Sequence, residues 1–349
     1  MKALELQSPA LLRLSEIAIP KVADDGILLR TKVVSICSTD ISYFHGNLYP
    51  NRYPVVLGHE YLGVVEKVGI HQDRKLIGER VVYFGQTDFG GLAQYRAIRP
   101  LFSHQQAKEP FETERNFKDD RRAAAIILPH DVHDDEATLL EPITAVLRAI
   151  LTRPPEIGDR VLILGGGPCG TIAGMVMKHL YAVSEVAVLE RNIHRQNIAE
   201  RSYADKIFSD AVDLAFDQGG SAYDYVFDAL PPIPDVSVDD DPRRSAMLRA
   251  RPGATYLLYG ASQIQQRFDT WLLLAKGITI CAAAFDVDVF PMHKTAKVME
   301  SALQILRRRI VDPELIVSEI ISFDQYEKLT GYFENYQNRS GLKMVIRFD

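Results

Sequence analysis

Residues 161–190 read VLILGGGPCGTIAGMVMKHLYAVSEVAVLE, and this stretch decides the fold. It opens on an apolar run, 161–164, of strand length and strand composition. Gly165, Gly167 and Gly170 follow in the spacing G-x-G-x-x-G, with Pro168 and Cys169 inside the turn. Residues 171–180 place Ile172, Met175, Val176 and Leu180 on one helical face. A second apolar run, 186–189, ends in Glu190. The first glycine permits a tight turn. The second lets the backbone approach a pyrophosphate, and the third lets helix and strand pack closely. The N–H groups and the dipole at the helix start favour phosphate charge. Glu190, 20 residues beyond Gly170, stands where a carboxylate can accept bonds from both ribose hydroxyls. Strand, glycine turn, helix, strand and acid in this order predict a dinucleotide site. A bare glycine pattern would leave a plainer reading standing, a strand–helix turn that holds nothing.

Downstream the alternation continues. Helices are expected over 195–203 and 243–250, and strands over 206–208, 223–229, 254–259 and 277–284. Strands alternating with helices imply right-handed crossovers and a parallel sheet, an α/β architecture. The acidic run Asp239, Asp240, Asp241 sits in an expected loop, 231–242, and reads as a solvated face. The tail has an amphipathic pattern over 294–308, a second helix near 324–335 and a final strand over 343–348.

Upstream, residues 1 to about 100 read as β-rich, with runs at 27–34, 64–68 and 80–83 punctuated by turn residues. Residues 101–122 are polar, charged at both signs and without period, and read as an exposed insertion. Asp134, Asp135 and Glu136 look like a helix start, Glu141-Pro142 an interruption, and 143–151 a helix. Pro154-Pro155 and Gly158-Asp159 then mark a domain boundary before the strand at Val161.

The bulk numbers agree with a globular chain. Its 349 residues suffice for two domains, 47% of them hydrophobic and 25% charged. A net charge of −6 without a basic block argues against nucleic acid as partner. Three separated cysteines, Cys37, Cys169 and Cys281, form no disulfide framework and suit a reducing compartment. The N-terminus lacks a signal-peptide core, and no apolar run reaches membrane-spanning length. A soluble cytoplasmic protein is expected.

Two short motifs in the β-rich region carry chemistry: Cys37-Ser38-Thr39-Asp40 and Gly58-His59-Glu60. Thiol, imidazole and carboxylate are the ligand types zinc takes. Cys37 and His59 lie 22 residues apart, so they would have to converge through the fold. Taken alone, the plainer readings stand beside that one: a buried cysteine is usually a small hydrophobe, and a lone histidine is more often structural.

The order of these parts resembles the zinc-dependent medium-chain dehydrogenases of the alcohol dehydrogenase superfamily, in particular the polyol, cyclitol and threonine dehydrogenase branch. The resemblance spans nearly the whole chain. It rests on SICSTD at 35–40, PVVLGHE at 54–60, GERV at 78–81, LEP at 140–142, GGGPCG at 165–170 and GLKMV at 341–345. It implies a split organisation. Residues 1–152 with 286–349 would form a GroES-like β-barrel catalytic domain, and 153–285 a Rossmann doubly wound parallel-sheet cofactor domain. The active site would lie in the cleft between them.

By the same resemblance Cys37, His59 and Glu60 would bind zinc, with Glu141 a fourth or exchanging ligand. One thiolate and two carboxylates around Zn²⁺ would leave the site negative, which blunts a Lewis acid, and a catalytic zinc needs an open position. Glu60 and Glu141 are therefore not expected to be tightly bound together with substrate. Asp40 would orient His59, or else act as a simple cap. Zinc would ease ionisation of a bound alcohol, whose hydride passes to the nicotinamide, and the Thr39 hydroxyl would relay the proton. His45 is either a further relay or a loop residue. Relatives often carry a histidine where this chain has Ser42, which leaves the proton exit open. They also often carry a structural zinc on a four-cysteine lobe, where this chain has YFGQTDFG at 83–90. With three cysteines in all, one zinc per chain is expected. Glu190 implies NAD over NADP, because a carboxylate repels a 2′-phosphate, while the adjacent Arg191 pulls the other way. Lys343 matches a family position at the cofactor's pyrophosphate, or is an ordinary surface lysine. Cys169, at the helix start, is either a thiol of lowered pKa or a packing residue.

The function expected is hydride transfer between a secondary alcohol of polyol, sugar or cyclitol type and NAD. Two alternatives remain: a zinc-free quinone or enoyl reductase of the same fold, and a non-catalytic NAD-binding protein. A homodimer or homotetramer is implied, with 277–284 as the apolar edge.

Overall fold

The computed structural model describes all residues except 51, 86–89, 104–121, 219–221, 234–235, 261–262, 283–291 and 349. The chain divides into two compact units. One comprises Met1–Ala145, Ala284–Tyr336 and Lys343–Asp349, the other Val146–Ala283 and Gln337–Leu342.

In the first unit Ile27–Ser35 pairs antiparallel with Glu60–Val68, which pairs with Arg80–Phe84, which pairs with Arg122–Ile127. Arg122–Ile127 runs parallel to Tyr95–Phe102, and Tyr95–Phe102 returns to the first half of Ile27–Ser35. The sheet thus closes on itself, which leaves these strands no open edge. The second half of Ile27–Ser35 takes a different neighbour, Lys343–Arg347, with Val317–Ser322 beyond it. A tail strand therefore enters the barrel wall at Ser35. Alternating apolar residues fill the interior, among them Leu4, Leu29, Tyr61, Val81 and Tyr83. This is a GroES-like barrel.

The second unit is a six-stranded parallel sheet in the order Lys206–Phe208, Glu185–Leu189, Arg160–Leu164, Tyr223–Asp228, Ala250–Leu258, Thr279–Ala282. Helices connect the strands, so the central strand is covered on both faces and Val161 to Leu164 are fully buried. That explains why 161–164 reads as an unbroken apolar run. Strand order reverses beside Arg160–Leu164, the place where open α/β sheets bind ligands. The unit is a Rossmann fold.

Several expectations shift. By contacts the first division falls at Ala145/Val146 and Gln337–Leu342 groups with the sheet unit, while the expected boundary at 285/286 lies outside the described residues. Glu141-Pro142 does not interrupt: Leu140–Thr152 is one helix with Pro142 in its first turn, where no intrahelical N–H bond is lost. The polar stretch 101–122 begins and ends inside strands, Tyr95–Phe102 and Arg122–Ile127, and its residues 104–121 lie outside the described residues. Asp241 of the acidic run caps the helix Pro242–Arg249, accepting from Arg243 N and Arg244 N. Among the described residues no helix is long and apolar enough to cross a membrane.

Candidate active site

Cys37 ends the loop after Ile27–Ser35 and precedes the helix Ser38–Phe44. His59 stands directly before the strand Glu60–Val68, after Gly58. Gly58 has φ +88°, and a Cβ there would lie 3.0 Å from Val34 Cγ1, so only glycine makes this turn at ease. The register Ser35↔Glu60 brings the ends of the two strands together. The outcome is that ligand atoms of Cys37, His59 and Glu60 lie within 4.8 Å of one another. The convergence that sequence spacing leaves open is therefore present.

Asp40 is what holds the two loops. Its carboxylate is fully buried and accepts the Cys37 N–H at 3.0 Å and the Gly58 N–H at 2.9 Å. Its Oδ1 is 3.8 Å from His59 Nδ1, close enough for charge attraction rather than a hydrogen bond. Asp40 thus caps the helix start and stands within charge-pair distance of His59. Burial raises its pKa, opposed by His59 and the two N–H groups. At His59 burial acts to lower the pKa, but Cys37, Asp40 and Glu141 outweigh it and hold it well above the usual histidine value. The position favours positive charge, as a cation site must. The Cys37 thiol points at the Thr39 hydroxyl, 3.6 Å away. Glu141, buried in the first turn of Leu140–Thr152, acts on His59 by charge and stands outside the three-residue cluster. His45 is bonded through Nε2 to the Phe333 carbonyl at 3.0 Å, the structural alternative for that residue.

Glu60 has partners that sequence reasoning did not find. Ser35 Oγ donates to its Oε2, and Lys343 Nζ lies 2.5 Å from both oxygens. Lys343 is only 1% exposed. The residue expected at the pyrophosphate is instead the buried counter-ion of Glu60, because the tail strand joins the barrel at Ser35. A lysine directly before the apolar run Met344-Val345-Ile346 was the available signal. Lys343→Met should destabilise the chelator-treated protein by about 3–5 kcal/mol, since it strands a buried carboxylate. Urea unfolding would show this, and an unmoved midpoint would mean that Glu60 becomes neutral at no cost.

The glycine turn of the second unit is equally well defined. Gly165 adopts φ +91° and donates to Leu189 O at 2.9 Å. Gly167 is the N-cap of Pro168–Leu180, with Pro168 at the helix start and no side chain capping it. A Cβ at Gly167 would meet nothing nearer than Arg195 Nη1 at 3.9 Å, which leaves the space a pyrophosphate needs. Glu190 is buried, and its carboxylate is already aimed: Oε2 accepts from Gly166 N and Oε1 from Asn192 N, both at 2.8 Å. Arg191 is exposed, and its guanidinium donates to Gln337 Oε1. Cys169 is half-buried, with the Tyr259 hydroxyl donating to its sulfur at 3.5 Å. The residues therefore fit a dinucleotide.

Residues 23–102 match the family "Alcohol dehydrogenase GroES-like domain". Sorbitol dehydrogenase of Macaca fascicularis is 26% identical over 359 residues, covering 99% of this chain and 96% of the relative. Starvation-sensing protein RspB of Escherichia coli K12 is 24% identical over 356 residues, covering 100% and 99%. A crystal structure from E. coli CFT073, described as a short chain alcohol dehydrogenase (rspB) complexed with cofactor NADH, superposes with TM-score 0.78 at 22% identity, covering 100% and 99%. Residues 23–102 thus carry an alcohol dehydrogenase GroES-like domain, and along nearly its full length the chain is similar to polyol dehydrogenases.

Proposed function

We propose that the protein is a zinc- and NAD-dependent dehydrogenase of secondary alcohols of polyol, sugar or cyclitol type. The observation that carries this reading is the convergence of Cys37, His59 and Glu60 in a chain that also closes a glycine turn with Glu190. NAD-type cofactors also occur among the relatives: one similar structure was solved with NADH and another with NADP.

Cys37, His59 and Glu60, with Glu141 nearby, would hold zinc, which supplies a Lewis acid for the alcohol oxygen when bound. Lys343 offsets the charge of Glu60, so a cation held there would meet less net negative charge than the three acidic groups alone would give. This meets the charge problem of two carboxylates beside one thiolate. Asp40 ties the Cys37 loop to the Gly58 turn that precedes His59. The Thr39 hydroxyl, beside Cys37, would accept the alcohol proton while giving its own to solvent water, as an atom that both donates and accepts. In the sheet unit the start of Pro168–Leu180 receives the pyrophosphate and Glu190 the ribose hydroxyls. A homo-oligomer is part of the same reading. Thr279–Ala282 has a single neighbour in its sheet among the described residues, and Trp271 and Leu274 stand exposed on the preceding helix, Thr270–Lys276.

The test is NADH formation against polyols, sugars, cyclitols and aminocyclitols, with and without a zinc chelator. Turnover abolished by the chelator and restored by zinc is expected. A protein that holds no zinc and oxidises no alcohol but reduces quinones or enoyl compounds would favour the zinc-free reductase, and NADH binding with no turnover on any substrate would favour a binding role.

A further inference from the structure

The turn of tail that belongs to the sheet unit docks beside the ribose acid. Asn192 lies two residues beyond Glu190 and caps the helix Ile193–Ser202. Its Nδ2 donates to the carbonyls of Gln337 at 3.2 Å and Arg339 at 3.1 Å, while its N–H fixes Glu190 Oε1. Arg191, between Glu190 and Asn192 in sequence, donates through Nη2 to the Gln337 side chain. Gln337–Leu342 therefore closes one side of the Glu190 turn.

This arrangement bears on which dinucleotide is accepted. A 2′-phosphate brings about two negative charges and needs a cation beside it. Glu190 repels it, and Arg191 is the guanidinium adjacent in sequence to that acid. Arg195 is buried and lies near Gly167, its Nη1 3.9 Å from where a Cβ on that residue would stand. In the structure the Arg191 guanidinium is bonded to a neutral amide on the tail. It therefore neither pairs with Glu190, which would weaken ribose binding, nor offers itself to a 2′-phosphate.

We propose that Gln337 sets the preference for NAD over NADP by holding Arg191 on the tail, leaving Glu190 to reject the 2′-phosphate. The proposal rests on the dinucleotide reading of the second unit. It is a case of selectivity through the unfavourable contact as much as the favourable one.

The experiment titrates NADH and NADPH by their fluorescence against the full chain and three variants. Gln337→Ala should reduce the NADH-over-NADPH preference about tenfold, the size of one hydrogen bond to a charged group. Gln337→Glu holds Arg191 by charge and should keep or widen the preference. The double variant Gln337→Ala with Arg191→Ala should return to the parent preference, an outcome that a general loosening of the tail would not produce. A preference within about twofold of the parent in Gln337→Ala, less than a charge-assisted bond is worth, overturns the proposal. So does a double variant that keeps the reduced preference. A parent chain that binds neither nucleotide overturns the dinucleotide reading itself, and the proposal with it.

Discussion

Cys37→Ala should leave a folded protein that retains no zinc and turns over at least about 10³-fold more slowly. The magnitude follows from what a Lewis acid contributes to a developing oxyanion, several kcal/mol, at 1.36 kcal/mol per decade. Folding should survive because the thiol is a small group at a loop end, beside Ser38–Phe44 rather than inside it. The helix start depends instead on Asp40, whose carboxylate takes the Cys37 backbone N–H and remains in the variant. Elemental analysis gives the zinc content, and thermal melting separates lost metal from lost fold. Full zinc content with full turnover would remove Cys37 from the site. Asp40→Asn gives a graded comparison. It keeps the shape but turns one of the two acceptor oxygens into a donor, so either the Cys37 or the Gly58 N–H loses its partner, and zinc affinity should fall about 10–100-fold, as for other residues that support metal ligands. A larger loss for Asp40→Asn than for Cys37→Ala would mean that Asp40 itself is a ligand.

Gly170→Ala is expected to have the largest effect in the sheet unit. A Cβ at residue 170 would lie 1.9 Å from Gly165 O, and the atom it strikes is backbone. No side chain can swing aside, so the turn that forms the cradle must open. Overpacking of this kind costs about 1–3 kcal/mol of stability, or more where backbone is displaced. Dinucleotide affinity should fall more steeply, because the turn aims several donors at one pyrophosphate. Losing two hydrogen bonds to a charged group removes about 3–6 kcal/mol, some two to four decades in Kd. Gly167→Ala isolates the other effect. Its Cβ would have 3.9 Å of clearance, so stability should stay within about 0.5 kcal/mol. The methyl would nevertheless stand where a phosphate must approach, and NADH affinity should drop. Fluorescence titration with NADH, paired with melting curves, distinguishes the two. If Gly167→Ala bound NADH as tightly as the parent, the pyrophosphate would not lie over residue 167.

Much of this protein is determined by local sequence. The run 161–164, the three glycines and Glu190 specify a strand, a turn and an acid through backbone sterics and a 20-residue spacing, and the structure contains all of them. The motifs at 37–40 and 58–60 carry their ligand types in the side chains themselves. These features are legible because each depends on residues close together in the chain: a turn that only glycine permits, a helix start, a strand buried on both faces.

What the tertiary structure alone decided is pairing across long separations. That Lys343 neutralises Glu60 follows from the tail strand entering the barrel at Ser35, and the local sequence marks an unusual lysine without naming its partner. That Asp40 serves the Cys37 loop and the His59 loop together depends on two strands ending side by side. That Gln337 holds Arg191 depends on a short turn of tail folding with the sheet unit rather than the barrel. In each case a buried or committed charge has a partner that lies far away in sequence. Sequence periodicity reports which face of an element is apolar. It does not report which distant element will supply the counter-charge, because that is set by strand register and closure of the fold.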